Sequence, residues 1–85
     1  MTRSIFTTAY QTLLEALVAA RISAGVTQAE LARRLKKPQS FVSKVEIGAR
    51  RLDVIEFYAV AIAIDHEPAE LFAAIAQKLP VSVEI

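Results

Sequence analysis

Gln39, Ser40, Ser43 and Lys44 are spaced so that they share one side of a short helix, opposite Phe41, Val42 and Val45. Short donors and acceptors beside a single cation suit the reading of base edges in a DNA major groove. Glutamine pairs bidentately with adenine, lysine meets the acceptors of guanine, and serine is permissive. Other chemistries find little support. Cysteine is absent, which removes disulfides, thiolate catalysis and cysteine-based metal sites together. The single histidine, His66, stands between Asp65 and Glu67, and adjacent residues rarely converge on one ion, so this triplet reads as a surface turn. No nucleophile–base pair, metal cluster or phosphate loop stands out. No enzyme activity, metal or cofactor is expected.

The elements that must position those four residues are legible around them. Thr27 is a good N-cap, and Glu30 three residues on predicts a capping box. Ala29, Leu31, Ala32 and Leu35 then recur at helical spacing, predicting a helix over about Gln28–Leu35. Pro38 suits the first turn of a second helix, about Pro38–Ile47, and Gly48 ends it. Ala32 falls where the first of these helices would cross the second, and a small side chain there permits close approach.

Charge is unevenly distributed. The formal net charge is only +1, but residues 33–51 hold seven cations against Glu46 alone, a net +6, while the remainder holds three cations against eight acids, a net −5. A localised basic patch is the electrostatic footprint of a phosphate-binding surface. Lys37, Arg50 and Arg51 flank the second helix and are expected to hold phosphates; Arg33 and Arg34 read as solvent-exposed and are left out of the site.

The segments Gln28-Ala29-Glu30-Leu31-Ala32 and Gln39-Ser40-Phe41-Val42-Ser43-Lys44-Val45-Glu46, followed by Gly48, resemble the phage-repressor and Cro-like helix-turn-helix family of the xenobiotic-response-element type. The resemblance implies an all-α, five-helix bundle that binds double-stranded DNA. It implies that Gln28 is a phosphate-binding glutamine, placed with Thr27 where a helix N-terminus points at the backbone. It also implies a structural ion pair between Arg21 and Glu46. Two departures stand out. The family's turn usually carries glycine where this chain has Lys36, and Ile47 replaces a polar residue before the closing glycine, which removes one expected backbone contact.

The rest of the chain fits one small domain, residues 1–79, with a tail over 80–85. A first helix is predicted over about Thr7–Ala24, with Tyr10, Leu13, Leu14, Leu17, Val18 and Ile22 as its apolar stripe and Gly25 as its stop. Asp53 caps a fourth helix, Val54–Ile64, whose nearly uniform apolar composition predicts a place at the centre of the bundle, with Phe57 and Tyr58 as core aromatics. Pro68 opens a fifth helix to about Lys78, and Pro80 stops it. The alternating tail Val81–Ile85 reads as a strand. Phe72, Ile75, Leu79, Val81 and Val83 form the predicted dimer interface of a homodimer on a two-fold operator.

No segment approaches the ~18 apolar residues of a membrane span, and the start lacks a signal peptide's apolar run, so no membrane association and a cytoplasmic location are expected. Nor does so short a chain leave room for a small-molecule sensing domain. The competing reading is a protein-interaction module that keeps the helical fold and binds a protein partner, favoured by the low net charge and an apolar content of 54%. The polar, basic face around Lys44 argues against it.

Overall fold

The computed structural model describes residues 7–83, which fold into α1 (Thr8–Ser23), α2 (Gln28–Leu35), α3 (Gln39–Glu46), α4 (Val54–Ala63) and α5 (Pro68–Ala76). Four of the five start on a side-chain cap that takes one of the first-turn N–H groups the helix leaves unpaired. Thr7 accepts from Tyr10, Thr27 from Glu30, Asp53 from Glu56 and Glu67 from Glu70. At α4 the capping box is complete. At α2 only half of the predicted box exists, because the Glu30 carboxylate turns to Arg33 and Arg34 instead. Pro38 stands one position earlier than predicted, as the N-cap of α3 with no side-chain bond.

The first four helices end alike. After α1, Gly25 takes a positive φ of 74°, its N–H bonds to the Ile22 carbonyl, and the Val26 N–H reaches back to the Arg21 carbonyl. This double closure satisfies carbonyls that the helix cannot. The same pair of bonds follows α2 at Lys36 and Lys37, α3 at Gly48 and Ala49, and α4 at Asp65 and His66. Two of these left-handed positions carry side chains, Lys36 at φ 59° and Asp65 at φ 63°. Lys36 thus takes the left-handed turn position where the family usually carries glycine, held by the turn around it.

Packing closes a ring. α1 lies against α3 and α5, α3 against α2, α2 against α4, and α4 against α5. Leu17, Val26, Leu31, Ala32, Val42, Val60, Ala61, Ile64, Leu71 and Ile75 fill its centre, and Tyr10, Leu14 and Val45 make a second cluster beside it. Phe57 packs edge-on against Phe72 at 5.8 Å between ring centroids, joining α4 to α5.

Several sequence expectations need correction. α4 is not central: Val60 and Ala61 are buried, but Val54, Ile55, Tyr58 and Ile62 are exposed. Tyr58 is thus no core aromatic, whereas Phe57 is half-buried against the core. On α1, Ile22 faces outward and Arg21 inward. Ile75 is fully buried core, which removes it from any dimer interface, and Leu79 is half-buried against the same core. Val81 and Val83 are exposed and belong to no strand; no strand occurs among the described residues, and Ile85 lies outside them. Alternation of apolar and polar residues does not by itself supply ladder hydrogen bonds.

Lys36 gives a direct stability test. A side chain in the left-handed region costs roughly 1–2 kcal/mol, partly offset in a glycine by greater freedom of the unfolded chain. Lys36→Gly should raise unfolding stability by about 0.5–1 kcal/mol, seen as a higher urea midpoint at unchanged slope.

Candidate nucleic-acid interface

Arg21 lies at the meeting point of three helices. Its Nε and Nη2 donate to the two carboxylate oxygens of Glu46 at 2.6 and 3.0 Å, and its Nη1 donates to the Val26 carbonyl at 2.8 Å. Both side chains are almost buried, at 11% and 12% exposure. The planar guanidinium thereby ties the last turn of α1, the turn after it and the end of α3 with one bidentate contact. Glu46 Oε1 also accepts from Gln28 Nε2 at 2.8 Å, and Gln28 Oε1 accepts a long 3.4 Å bond from Gln39 Nε2. A continuous polar chain thus runs from the buried Arg21 to the first residue of α3.

Along α3, Val42 and Val45 are buried and Phe41 is half-buried, leaving Gln39, Ser40 and Lys44 exposed and Ser43 half-exposed. The four predicted base-reading residues do share one outward face. Ala32 is buried where α2 packs on α3, as its size predicts. Thr27 and Gln28 open α2, with Thr27 exposed and its hydroxyl oxygen capping Glu30.

The flanking basic residues divide into two groups. Glu30 is chelated by Arg33 and Arg34, whose guanidiniums hold its carboxyl down from 4.5 to about 2, and Arg34 also donates to the Ala63 carbonyl. Arg33 is thus tied within α2, and Arg34 ties α2 to the end of α4. Arg50 is held by Glu56, with Nη1 and Nη2 each 2.9 Å from a carboxylate oxygen. That contact first, and the Asp53 backbone N–H second, stabilise the carboxylate and hold the pKa of Glu56 below the usual carboxylate range. Arg50 also stacks 4.8 Å from the Phe41 ring centroid, and Lys37 Nζ lies 5.4 Å from the same ring. Arg51 lies over the Tyr10 ring at 4.2 Å, while the Tyr10 hydroxyl accepts from the Leu52 N–H. The α3–α4 loop is therefore fixed by one aromatic ring from α1 and one from α3. Lys36, Lys37 and Lys44 make no ion pair among the described residues and remain exposed.

Sequence reasoning missed Glu56 and the dual role of Gln28. The Asp53-x-x-Glu56 spacing was a usable signal, since a capping box brings the glutamate back over the residues that precede the helix.

The helix-turn-helix family profile matches residues 17–72, spanning the ion pair, α2, α3 and the loop beyond. The chain belongs to the helix-turn-helix family of the XRE type. It is 50% identical to an XRE-family like protein from Pseudomonas syringae pv. tomato str. DC3000, with a TM-score of 0.79 over 85% of this chain and 88% of that one. The clp gene regulator ClgR from C. glutamicum shares the fold at 22% identity, with a TM-score of 0.74 over 89% and 99% of the two chains. No curated protein sequence is significantly similar. This family membership makes the chain a DNA-binding transcription regulator, in a family of regulators rather than enzymes. No helix among the described residues is long and apolar enough to cross a membrane.

Removing Glu46 leaves Arg21 buried without its counter-charge and Gln28 without its acceptor. Glu46→Ala should cost about 3–5 kcal/mol of unfolding free energy, measured by urea titration, far more than an exposed pair such as Arg33–Glu30 would lose.

Proposed function

We propose that this regulator binds DNA sequence-specifically as a homodimer, occupying a roughly two-fold symmetric operator as a repressor in the cytoplasm. The observation that carries the reading is the polar chain Arg21–Glu46–Gln28–Gln39, which braces the exposed face of α3 from behind. In this reading Gln39, Ser40, Ser43 and Lys44 meet base edges, and Thr27, Gln28, Lys37, Arg50 and Arg51 meet the phosphates on either side. Recognition helices of two protomers enter successive major grooves about 34 Å apart.

The base-reading assignment makes a position-specific claim. Gln39→Ala should weaken the best operator, chosen from a random DNA pool, by about 1–3 kcal/mol and relax preference at one base pair per half-site. A uniform loss across sequences would instead make Gln39 a backbone contact.

For the dimer, we propose the exposed surface of α4 in place of the tail. Val54, Ile55, Tyr58 and Ile62 are 80, 74, 56 and 50% exposed, and Phe72 of α5 is 48% exposed. Val54, Tyr58 and Phe72 line one groove of about 360 Å³ together with Leu13, Phe57 and Ala69. The five side chains offer on the order of 500 Å² of apolar surface per protomer. Two copies would bury roughly 1,000 Å², the size at which specific interfaces begin. The exposed stripe of α4 itself carries no charge, although Asp53 also lines the groove. Ile55→Glu should weaken self-association at least about ten-fold in sedimentation, equivalent to 1.4 kcal/mol, while removal of residues 81–85 leaves it unchanged. The opposite pattern would return the interface to the tail, and a monomeric parent chain would remove the dimer.

A further inference from the structure

Glu56 is an acid set among the cations beside the N-terminal end of α3. Its carboxylate takes both terminal nitrogens of Arg50 at 2.9 Å, and its Oε1 also accepts the Asp53 backbone N–H at 3.0 Å. The Arg50 guanidinium lies over Phe41 at 4.8 Å from the ring centroid and Lys37 Nζ at 5.4 Å, so two cations share one ring of α3. Arg50 therefore has the position of a phosphate contact, with 43% of its side chain exposed, but both of its terminal nitrogens already donate to Glu56, and Nη1 donates to the Arg51 carbonyl as well.

We propose that Glu56 is an internal competitor for Arg50: DNA must displace its carboxylate before Arg50 can hold a phosphate, so Glu56 lowers DNA affinity and reduces its dependence on salt. This rests on the reading that α3 enters DNA. Two physical effects act in the same direction. Arg50 exchanges one anion for another, so little is gained when the phosphate arrives. The abandoned carboxylate, tethered to the Asp53 N–H, then stays close to a polyanion and is repelled by it. A free arginine releases about one counterion's worth of salt dependence on meeting a phosphate, whereas an arginine already neutralised releases less.

Glu56→Gln separates charge from architecture, because glutamine also serves in the capping box and keeps an acceptor for the Asp53 N–H. The probe is a fluorescently labelled double-stranded DNA of mixed sequence, since a phosphate contact is indifferent to sequence. Anisotropy titrations over a salt series should show Glu56→Gln binding several-fold more tightly at low salt, with log affinity against log salt steeper by up to about one unit. Arg50→Ala in the Glu56→Gln background should abolish that gain, while Arg50→Ala alone should flatten the slope by well under one unit.

An unchanged slope in Glu56→Gln overturns the proposal, and so does a gain that survives loss of Arg50, which would mark a general charge effect. Arg50→Ala alone costing a full unit would show Arg50 free for phosphate from the start, and this arm decides the matter even if Glu56→Gln folds poorly. A parent chain that binds no duplex at low salt refutes the DNA-binding reading itself, whereas parent binding with an unchanged variant slope refutes only the role of Glu56.

Discussion

One buried guanidinium, that of Arg21, fixes the relation between the helix that carries the fold and the helix that faces outward. A bidentate pair constrains direction as well as distance, so Glu46 cannot rotate without losing one of two parallel bonds. The third Arg21 bond, to the Val26 carbonyl, places the start of α2 relative to α1. Glu46 then uses its remaining capacity on Gln28, at the head of α2. Such a pair adds little net stability over well-packed apolar residues, because both charges have left water. What it adds here is orientation: α1, α2 and α3 each contribute a group to the same small polar cluster. The outward face of α3 inherits that orientation through the 3.4 Å contact of Gln39.

The electrostatics of the interface differ from a count along the chain. Residues 33–51 hold a net +6, yet Arg33, Arg34 and Arg50 are each paired with a carboxylate from outside that segment. These contacts serve the scaffold: Arg34 bridges α2 to the end of α4, and Arg50 closes the loop onto the α4 cap. Exposed pairs of this kind contribute little to stability individually, but they decide which cations a polyanion can use at no extra cost. Within this segment Lys36, Lys37 and Lys44 make no ion pair with a described residue, and they lie in the α2–α3 turn and on α3 itself.

The parts of this arrangement that were legible in the sequence are those fixed by local chemistry. Thr27 and Asp53 mark helix starts because a side-chain oxygen three residues before a bare N–H has little else to do, whereas the caps at Thr7 and Glu67 emerged only in the structure. Gly25 and Gly48 mark stops for the complementary reason. The ion pair of Arg21 with Glu46 followed from family resemblance, since nothing local relates residues 25 positions apart. What failed depended on which neighbours an element has. The apolar α4 looked central because its composition is uniform, but burial is decided by how many sides are covered, and α2 and α5 cover only part of it. The tail alternates like a strand, but alternation needs a partner. Ile75 and Phe72 both look like interface residues, and only the direction of α5 against α1 and α4 separates core from surface.

A domain of this size also has a geometric reason to leave apolar surface outside. Small chains bury a smaller share of their surface, so 54% apolar residues cannot all be enclosed by five short helices. The question is where the excess goes. Had it fallen on α3, exposed valines or isoleucines would have displaced the polar side chains that base edges require. Ile47, at the far end of α3, is a local instance, since it is exposed where a polar group would serve a phosphate better. The largest share is instead on α4, with four of the nine exposed large apolar side chains among the described residues, and the backbones of α4 and α3 do not pack against each other, since α2 lies against both. A partner can therefore cover the exposed stripe of α4 without touching Gln39, Ser40 or Lys44, although Glu56, through Arg50 on Phe41, still links α4 to the α3 side. The ring order of the helices, α1–α3–α2–α4–α5, is what provides this separation.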